Sequence, residues 1–365
     1  MISLLVAGAT ALLVAGLGTP LLIRWLATKG IGQQIRDDGP LGHVTKAGTP
    51  TMGGLAIVAA VFAGYLVGHA RIGTVFSVSG LVVMLAIGGA AAVGLADDWI
   101  KVSRQRSLGL NMRTKLAGQL AVAVAFAIVA LRWSGVSTEL SFTRSSSPGL
   151  ALGTVGWAVL AVLLLIGSAN AVNLTDGLDG LAAGSAVFAF ATLAVIGYWQ
   201  FRHTFIYHVP QGLDLALAAM ALTGACAGFL WWNAAPARIF MGDTGSLAIG
   251  AALAALCLQM NLVLLLPVIA GLFVMVTLSV IIQVASYRLF HRRVFRMAPL
   301  HHWPSGCSTP TSSPSGWSVD DGPGGSTGHR APRRCARGRP RSQRRGGGPA
   351  AAERPRTGDS RRRSC

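Results

Sequence analysis

At 365 residues, 52% hydrophobic and 12% charged, the chain is excluded from the ordinary soluble domains, in which about a quarter of residues are charged. Its apolar runs are too long and too continuous for barrel strands, so it reads as an all-α polytopic integral membrane protein. The net charge of +18 is uneven: residues 1–302 hold 18 Lys/Arg against 9 Asp/Glu, whereas residues 303–365 hold 13 Arg, no Lys and 4 Asp/Glu.

About nine spans are predicted in order. Residues 2–23 form the first, too long for a signal peptide and followed by Arg24 and Lys29, which places that end in the cytoplasm and the N-terminus outside. A polar loop with His43, Lys46 and the string GTPTMGG (48–54) leads to spans at 52–68 and 75–96. The third span runs into Asp97, Asp98 and Lys101. A carboxylate at the bilayer centre costs ~2.5–3.5 kcal/mol, so this pair is expected where the helix meets water. The fourth span covers 116–131, and a Ser-rich external loop fills 133–150. The fifth, 153–169, ends in NAVNLTDGLDG (170–180), and the sixth covers 181–200. The seventh, 213–232, leads to NAAPARIFMGDTGS (233–246), and the last two are 247–260 and 262–287. A basic segment then ends in MAPLHH (297–302). With the N-terminus outside, inner loops collect 14 of the 18 Lys/Arg in residues 1–302, while outer loops hold Arg71, Arg132, Arg144 and Arg202. That satisfies the positive-inside rule. Five Cys without metal spacing (226, 257, 307, 335 and 365) predict neither a disulfide framework nor a zinc site.

Nearly all the polar strings fall on the inner side. Asp97 and Asp98 repel each other, and a divalent cation is one way to relieve that. A helix-end charge pair or a stop signal balanced by Lys101 is the plainer reading. Asn173, Asp176 and Asp179 share a Gly-framed loop, where i, i+3 spacing can put two carboxylates on one face. Asp243 lies where a helix begins, and an N-cap is its plain structural role. Lys46, Lys101, Lys115 and Arg238 interleave with these acids, although Lys115 could simply snorkel. Carboxylates for a hard cation beside ammonium groups for oxyanions suit phosphoryl transfer, with Mg²⁺ or Mn²⁺ preferred over zinc. A transporter or channel is the alternative of another class, but no ionisable residue lies near the middle of a span.

The strings GTPTMGG, DDWIK, NLTDGLDGLA, NAAPARIFMGDTGSL and APLHH, in this order and spacing, resemble those of the phospho-N-acetylmuramoyl-pentapeptide transferases. The resemblance spans 1–302 and implies a Mg²⁺-dependent transfer of phospho-MurNAc-pentapeptide from UDP-MurNAc-pentapeptide to undecaprenyl phosphate. The products would be lipid I and UMP, made on the cytoplasmic face of the bacterial plasma membrane. It implies that Asp97, Asp98 and Asp243 are catalytic and metal-binding, with Asp98 the general base and Asp243 the best single metal ligand. It places Asn173, Asp176, Asp179, Asn233 and Phe240 around the nucleotide, with Phe240 stacked on uracil. Lys46, Lys101 and Lys115 would neutralise phosphates, and His301 and His302 would lie near the diphosphate. Expected partners are the two substrates and the bilayer, with a homodimer allowed and no nucleic acid. A sister enzyme passing N-acetylhexosamine 1-phosphate to the same lipid keeps the paired aspartates and the GDTGS-type string; TPTMGG and APLHH favour the muramoyl enzymes.

The family pattern continues with a third His, a Phe-Glu pair and a tenth span, whereas here it turns to Trp303-Pro304. Residue 235 is Ala where many relatives have His or Pro. Residues 303–365 contain no Ile, Leu, Met, Phe, Tyr, Lys or Asn, so they cannot bury enough apolar area to offset ordering entropy and are expected to be disordered. A basic tail drawn to anionic lipid, at most ~1 kcal/mol per Arg, is one reading. The abrupt change after APLHH reads better as a frame shift in a GC-rich gene, with impaired activity expected in the chain as written.

Overall fold

The computed structural model describes residues 1–28, 49–72, 76–104, 109–142, 148–292 and 294–295. Lys46, His301, His302 and the segment 303–365 lie outside them. The nine predicted apolar stretches each contain a helix. They form α1 (Ile2–Thr28), α2 (Gly54–Ile72), α3 (Val78–Ser103), α4 (Met112–Val129), α5 (Gly153–Thr175) and α6 (Leu181–Arg202). After the short α7 (Thr204–Tyr207) come α8 (Gly212–Asn233), α9 (Gly242–Gln259), the short α10 (Leu266–Ile269) and α11 (Gly271–Phe290). Seven are long and apolar enough to cross a membrane; α2 and α9 are not among them. The protein is an all-α polytopic membrane protein.

α9 is the axis of the bundle. Every residue from Asp243 to Gln259 is buried, and α3 and α5 pack along it. Its Gly- and Ala-rich sequence suits this place, because in lipid helices associate through close packing of small residues. On the other side α8 is held between α1 and α6, and α2 lies against α1 and α8. α4 joins α3 to α5, and α11 leans on α5. Outward-facing Leu13, Leu17, Val159, Phe188 and Ile281 present apolar surface, as a lipid-facing shell requires.

Two departures from the sequence reading concern the end of the bundle opposite Asp97. The Ser-rich loop contains an antiparallel hairpin, β1 (Glu139–Ser141) with β2 (Pro148–Ala151). Ser141 Oγ donates to the Asn261 carbonyl at 2.7 Å, and its own carbonyl accepts from Leu264 N–H at 3.2 Å. The hairpin thereby covers the C-terminal end of α9. The stretch read as one span over 262–287 instead turns through residues 261–270, including α10, before α11 begins. A second polar group at this end joins three helices: His69 Nε2 of α2 lies 3.2 Å from Asp214 Oδ1 of α8. The other Asp214 oxygen accepts from the amide and hydroxyl of Ser77, the N-cap of α3.

Candidate active site

Helix α3 does not stop at the aspartate pair. It continues to Ser103, so Lys101 stands one turn beyond Asp97 and Asp98 on the same face. The pair is enclosed by protein: Asp97 is 3% exposed and Asp98 2%, and protein donors meet both. Asp98 Oδ1 accepts from the Asp243 amide at 3.1 Å, and Oδ2 from the Thr244 amide at 2.9 Å and hydroxyl at 2.7 Å. It therefore caps the first turn of α9, whose amides lack intrahelical acceptors and carry the positive end of the helix dipole. The expected capping arrangement is inverted: Asp243 is not the cap, and its amide is what Asp98 caps.

With its own turn capped from α3, Asp243 is free to face the acids and bases around it. Its Oδ2 lies 2.7 Å from Lys101 Nζ and 2.8 Å from Lys115 Nζ of α4. Asp97 Oδ2 is 2.6 Å from Lys101 Nζ, while its Oδ1 accepts the Leu110 amide at 2.7 Å. That amide arrives through Gly109, where a Cβ would stand 2.5 Å from the carboxylate oxygen. One oxygen from each of Asp97, Asp98 and Asp243 lies within 4.8 Å of the others. Three carboxylates without His or Cys suit a hard cation such as Mg²⁺. The bridging Lys101 ammonium shows that the cluster accepts positive charge at that point.

The loop before Asp243 is held by the string TPTMGG. Phe240 N–H donates to the Pro50 carbonyl, Gly53 N–H to the Phe240 carbonyl and Gly54 N–H to the Met241 carbonyl, at 2.8–2.9 Å. A Cβ on Gly54 would lie 2.1 Å from the Gly245 amide nitrogen, so the two backbones touch. These bonds fix the entry to α9 and with it the Asp243 carboxylate.

The NLTDGLDG loop meets the 234–241 loop beside this cluster. Asp179 Oδ2 accepts the Ala237 amide at 3.2 Å. Asn233 is 2% exposed; its Oδ1 accepts from Gly180 N–H at 3.1 Å and its Nδ2 donates to the Ile239 carbonyl at 3.0 Å. Its amide thus ties the two loops together. Asp176 follows the last turn of α5; desolvation first, then the charges of Asp243, Asp98 and Asp179, pushes its carboxyl well above the usual carboxylate range. Asn173 and Phe240 are both half-buried. Arg238 lies over the Trp232 ring, 5.5 Å from its centroid.

Sequence reasoning missed Thr244, the Leu110 amide and a buried pair one turn inside Lys115. In that pair Asn170 Nδ2 donates to Gln119 Oε1 at 2.8 Å, joining α5 to α4. The i, i+4 spacing of Gln119 from Lys115 was the available signal. Both oxygens of Asp98 accept from backbone and hydroxyl donors, whereas Asp97 meets the Lys101 ammonium and the Asp243 carboxyl as well as the Leu110 amide.

Buried carboxylates with ammonium groups beside them, at one end of an apolar helical bundle, suit a membrane-embedded phosphoryl-transfer enzyme. The sequence pattern of glycosyl transferase family 4 matches residues 80–261, which contain the whole triad. A phospho-N-acetylmuramoyl-pentapeptide-transferase signature matches residues 46–58, the segment that pairs with the Asp243 loop. Phospho-N-acetylmuramoyl-pentapeptide-transferase from Frankia alni is 49% identical over 316 residues, covering 83% of this chain and 88% of the relative. The Streptomyces griseus protein of the same name is 48% identical over 319 residues, covering 83% and 89%. The chain belongs to the phospho-N-acetylmuramoyl-pentapeptide-transferase family.

Proposed function

We propose that the chain transfers phospho-MurNAc-pentapeptide from UDP-MurNAc-pentapeptide to undecaprenyl phosphate, giving lipid I and UMP. The observation that carries this reading is the buried Asp97–Asp98–Asp243 triad, threaded by Lys101 and flanked by Lys115, in a chain 49% identical to a transferase of that name. An oxygen of the lipid phosphate bonds to the sugar-bearing phosphorus, and the bond from that phosphorus to the bridging oxygen of UMP breaks. UMP departs with the bridging oxygen and the electron pair. Any proton on the attacking phosphate passes to the Asp97–Asp98 pair, with Asp98 the base that the motif resemblance assigns. Lys101 and Lys115 balance charge on the phosphates, with Lys46, His301 and His302 assigned to the same task by their motifs. Asn173, Asp176 and Asp179 line the nucleotide side and Phe240 stacks on uracil. Asn233 holds the loops that carry them. Mg²⁺, held by the triad, supplies further charge neutralisation at the diphosphate.

The active end faces the cytoplasm of a bacterial plasma membrane, with the N-terminus outside, as the 14-to-4 bias of basic residues favours. UMP release in membranes tests the reaction. Release is expected with UDP-MurNAc-pentapeptide plus undecaprenyl phosphate, and at background level without the lipid phosphate. Equal or faster release with UDP-GlcNAc would reassign the enzyme to the hexosamine 1-phosphate transferases. No release with either donor, from this chain and from a version carrying the family's C-terminal segment after His302, would support a non-enzymatic membrane protein.

A further inference from the structure

Lys101 holds an unusual position. Its Nζ lies 2.6 Å from Asp97 Oδ2, 2.7 Å from Asp243 Oδ2 and 3.8 Å from Asp98 Oδ1, so one ammonium touches or approaches all three acids. Among the acids of the triad, Lys115 meets Asp243. The acids cannot leave: their side chains are 4%, 2% and 12% exposed, and those of the pair are pinned by the Leu110, Asp243 and Thr244 amides. The Lys101 side chain, by contrast, is 33% exposed and enters on a flexible four-carbon stem from the last turn of α3.

We propose that the Lys101 ammonium is the resident counter-ion of the triad, exchanging with a divalent cation and moving outward to the substrate phosphates when that cation is loaded. This rests on the metal reading above and adds to it. Three carboxylates with Lys101 and Lys115 carry a net charge of −1, taking the acids as ionised. Adding a divalent cation beside both ammonium groups would make the cluster +1 and place two cations on the same carboxylate oxygens. Exchange leaves the three acids with the divalent cation and Lys115, a neutral set. The displaced ammonium is then available for phosphate without any movement of the backbone. Before exchange it keeps three buried acids from facing one another uncompensated, so the cation-free protein stays folded.

Mn²⁺ binding to the full chain in detergent, followed by electron paramagnetic resonance, tests the competition directly. Lys101→Met removes the competitor and is expected to tighten Mn²⁺ binding at least ~10-fold, while Lys115→Met changes it by less than about 3-fold. Equal or weaker binding by Lys101→Met would overturn the exchange while leaving the metal reading intact. Absence of Mn²⁺ binding in the parent chain and both variants would overturn the metal reading and the exchange with it. A second measurement needs no variant. Acylation of Lys101 by an amine-directed reagent, read by mass spectrometry against Lys115, should accelerate several-fold on adding Mg²⁺. Unchanged or slower labelling of Lys101 would contradict its displacement.

Discussion

The two ends of the helical bundle both bury charge, but they do it differently. At one end, one imidazole, that of His69, and the Ser77 donors meet the single carboxylate of Asp214, and each belongs to a different helix. At the other, Asp97, Asp98 and Asp243 outnumber Lys101 and Lys115, with Asp176 and Asp179 close by. One carboxylate against an imidazole and neutral donors ties α2, α3 and α8 together without a surplus of acids. An acid surplus with a movable ammonium is costly for stability and is suited to chemistry. The difference separates a staple from an active site inside one apolar bundle.

The largest expected effect comes from chelation. Removing divalent cations should lower UMP release by at least ~10³-fold, the scale of losing transition-state charge stabilisation. Melting should move little, because Lys101 still compensates the triad. A collapse of melting under chelator would make the acid end a structural metal site instead. Next comes Gly54→Ala, which forces apart the backbones at Gly245 and tilts the entry to α9. Turnover should fall ~10–100-fold through misplacement of Asp243. Gly224→Ala, at an equally tight contact with the Gly8 carbonyl between α8 and α1, should lower melting without a matching loss per folded molecule. Equal loss of turnover in both would erase the distinction between them.

Asn233→Ala sharpens the same comparison at smaller scale. Freeing the 176–180 loop from the 234–241 loop should raise KM for the nucleotide substrate ~10-fold and leave kcat within about 3-fold. A fall in kcat at constant KM would place Asn233 at the reacting atoms instead. The sidedness of the two ends has its own check. Cys226 and Cys257 are buried, so with Cys307, Cys335 and Cys365 replaced by Ser, new cysteines at Phe205 and Ser103, both exposed, report on opposite ends. Phe205→Cys in intact cells should react with an impermeant thiol reagent and Ser103→Cys should not. The reverse pattern would put the acid cluster outside.

Much of the acid end was legible in the sequence, because charge beside a long apolar run is costly and must be accounted for. Asp97, Asp98, Lys101 and Asp243 stood out for that reason. What they do to one another was not legible. Asp98 caps a helix whose first turn lies 145 residues further on, and nothing near Asp98 signals it. The pairing of residues 50–54 with 240–241 uses only backbone atoms, so side-chain chemistry gave no hint of it. The tie that Asn233 makes was not legible either, because its acceptor and donor partners come from loops on either side. At the opposite end, strands of three and four residues are too short to show an alternating pattern, and the hairpin was read as loop.

Paired measurements on Asp243→Asn and Asp214→Leu test the division between the two ends most directly. Each purified variant would be assayed for UMP release at a temperature below both melting transitions, and melted in the same detergent. Asp243→Asn should lose at least ~10³-fold in turnover with melting nearly unchanged. Asp214→Leu should keep turnover within about 3-fold per folded molecule and lose ~1–3 kcal/mol of stability, since the Ser77 donors and His69 lose their acceptor. Turnover lost equally in both variants, or retained in Asp243→Asn, would contradict the assignment of the chemistry to the acid end.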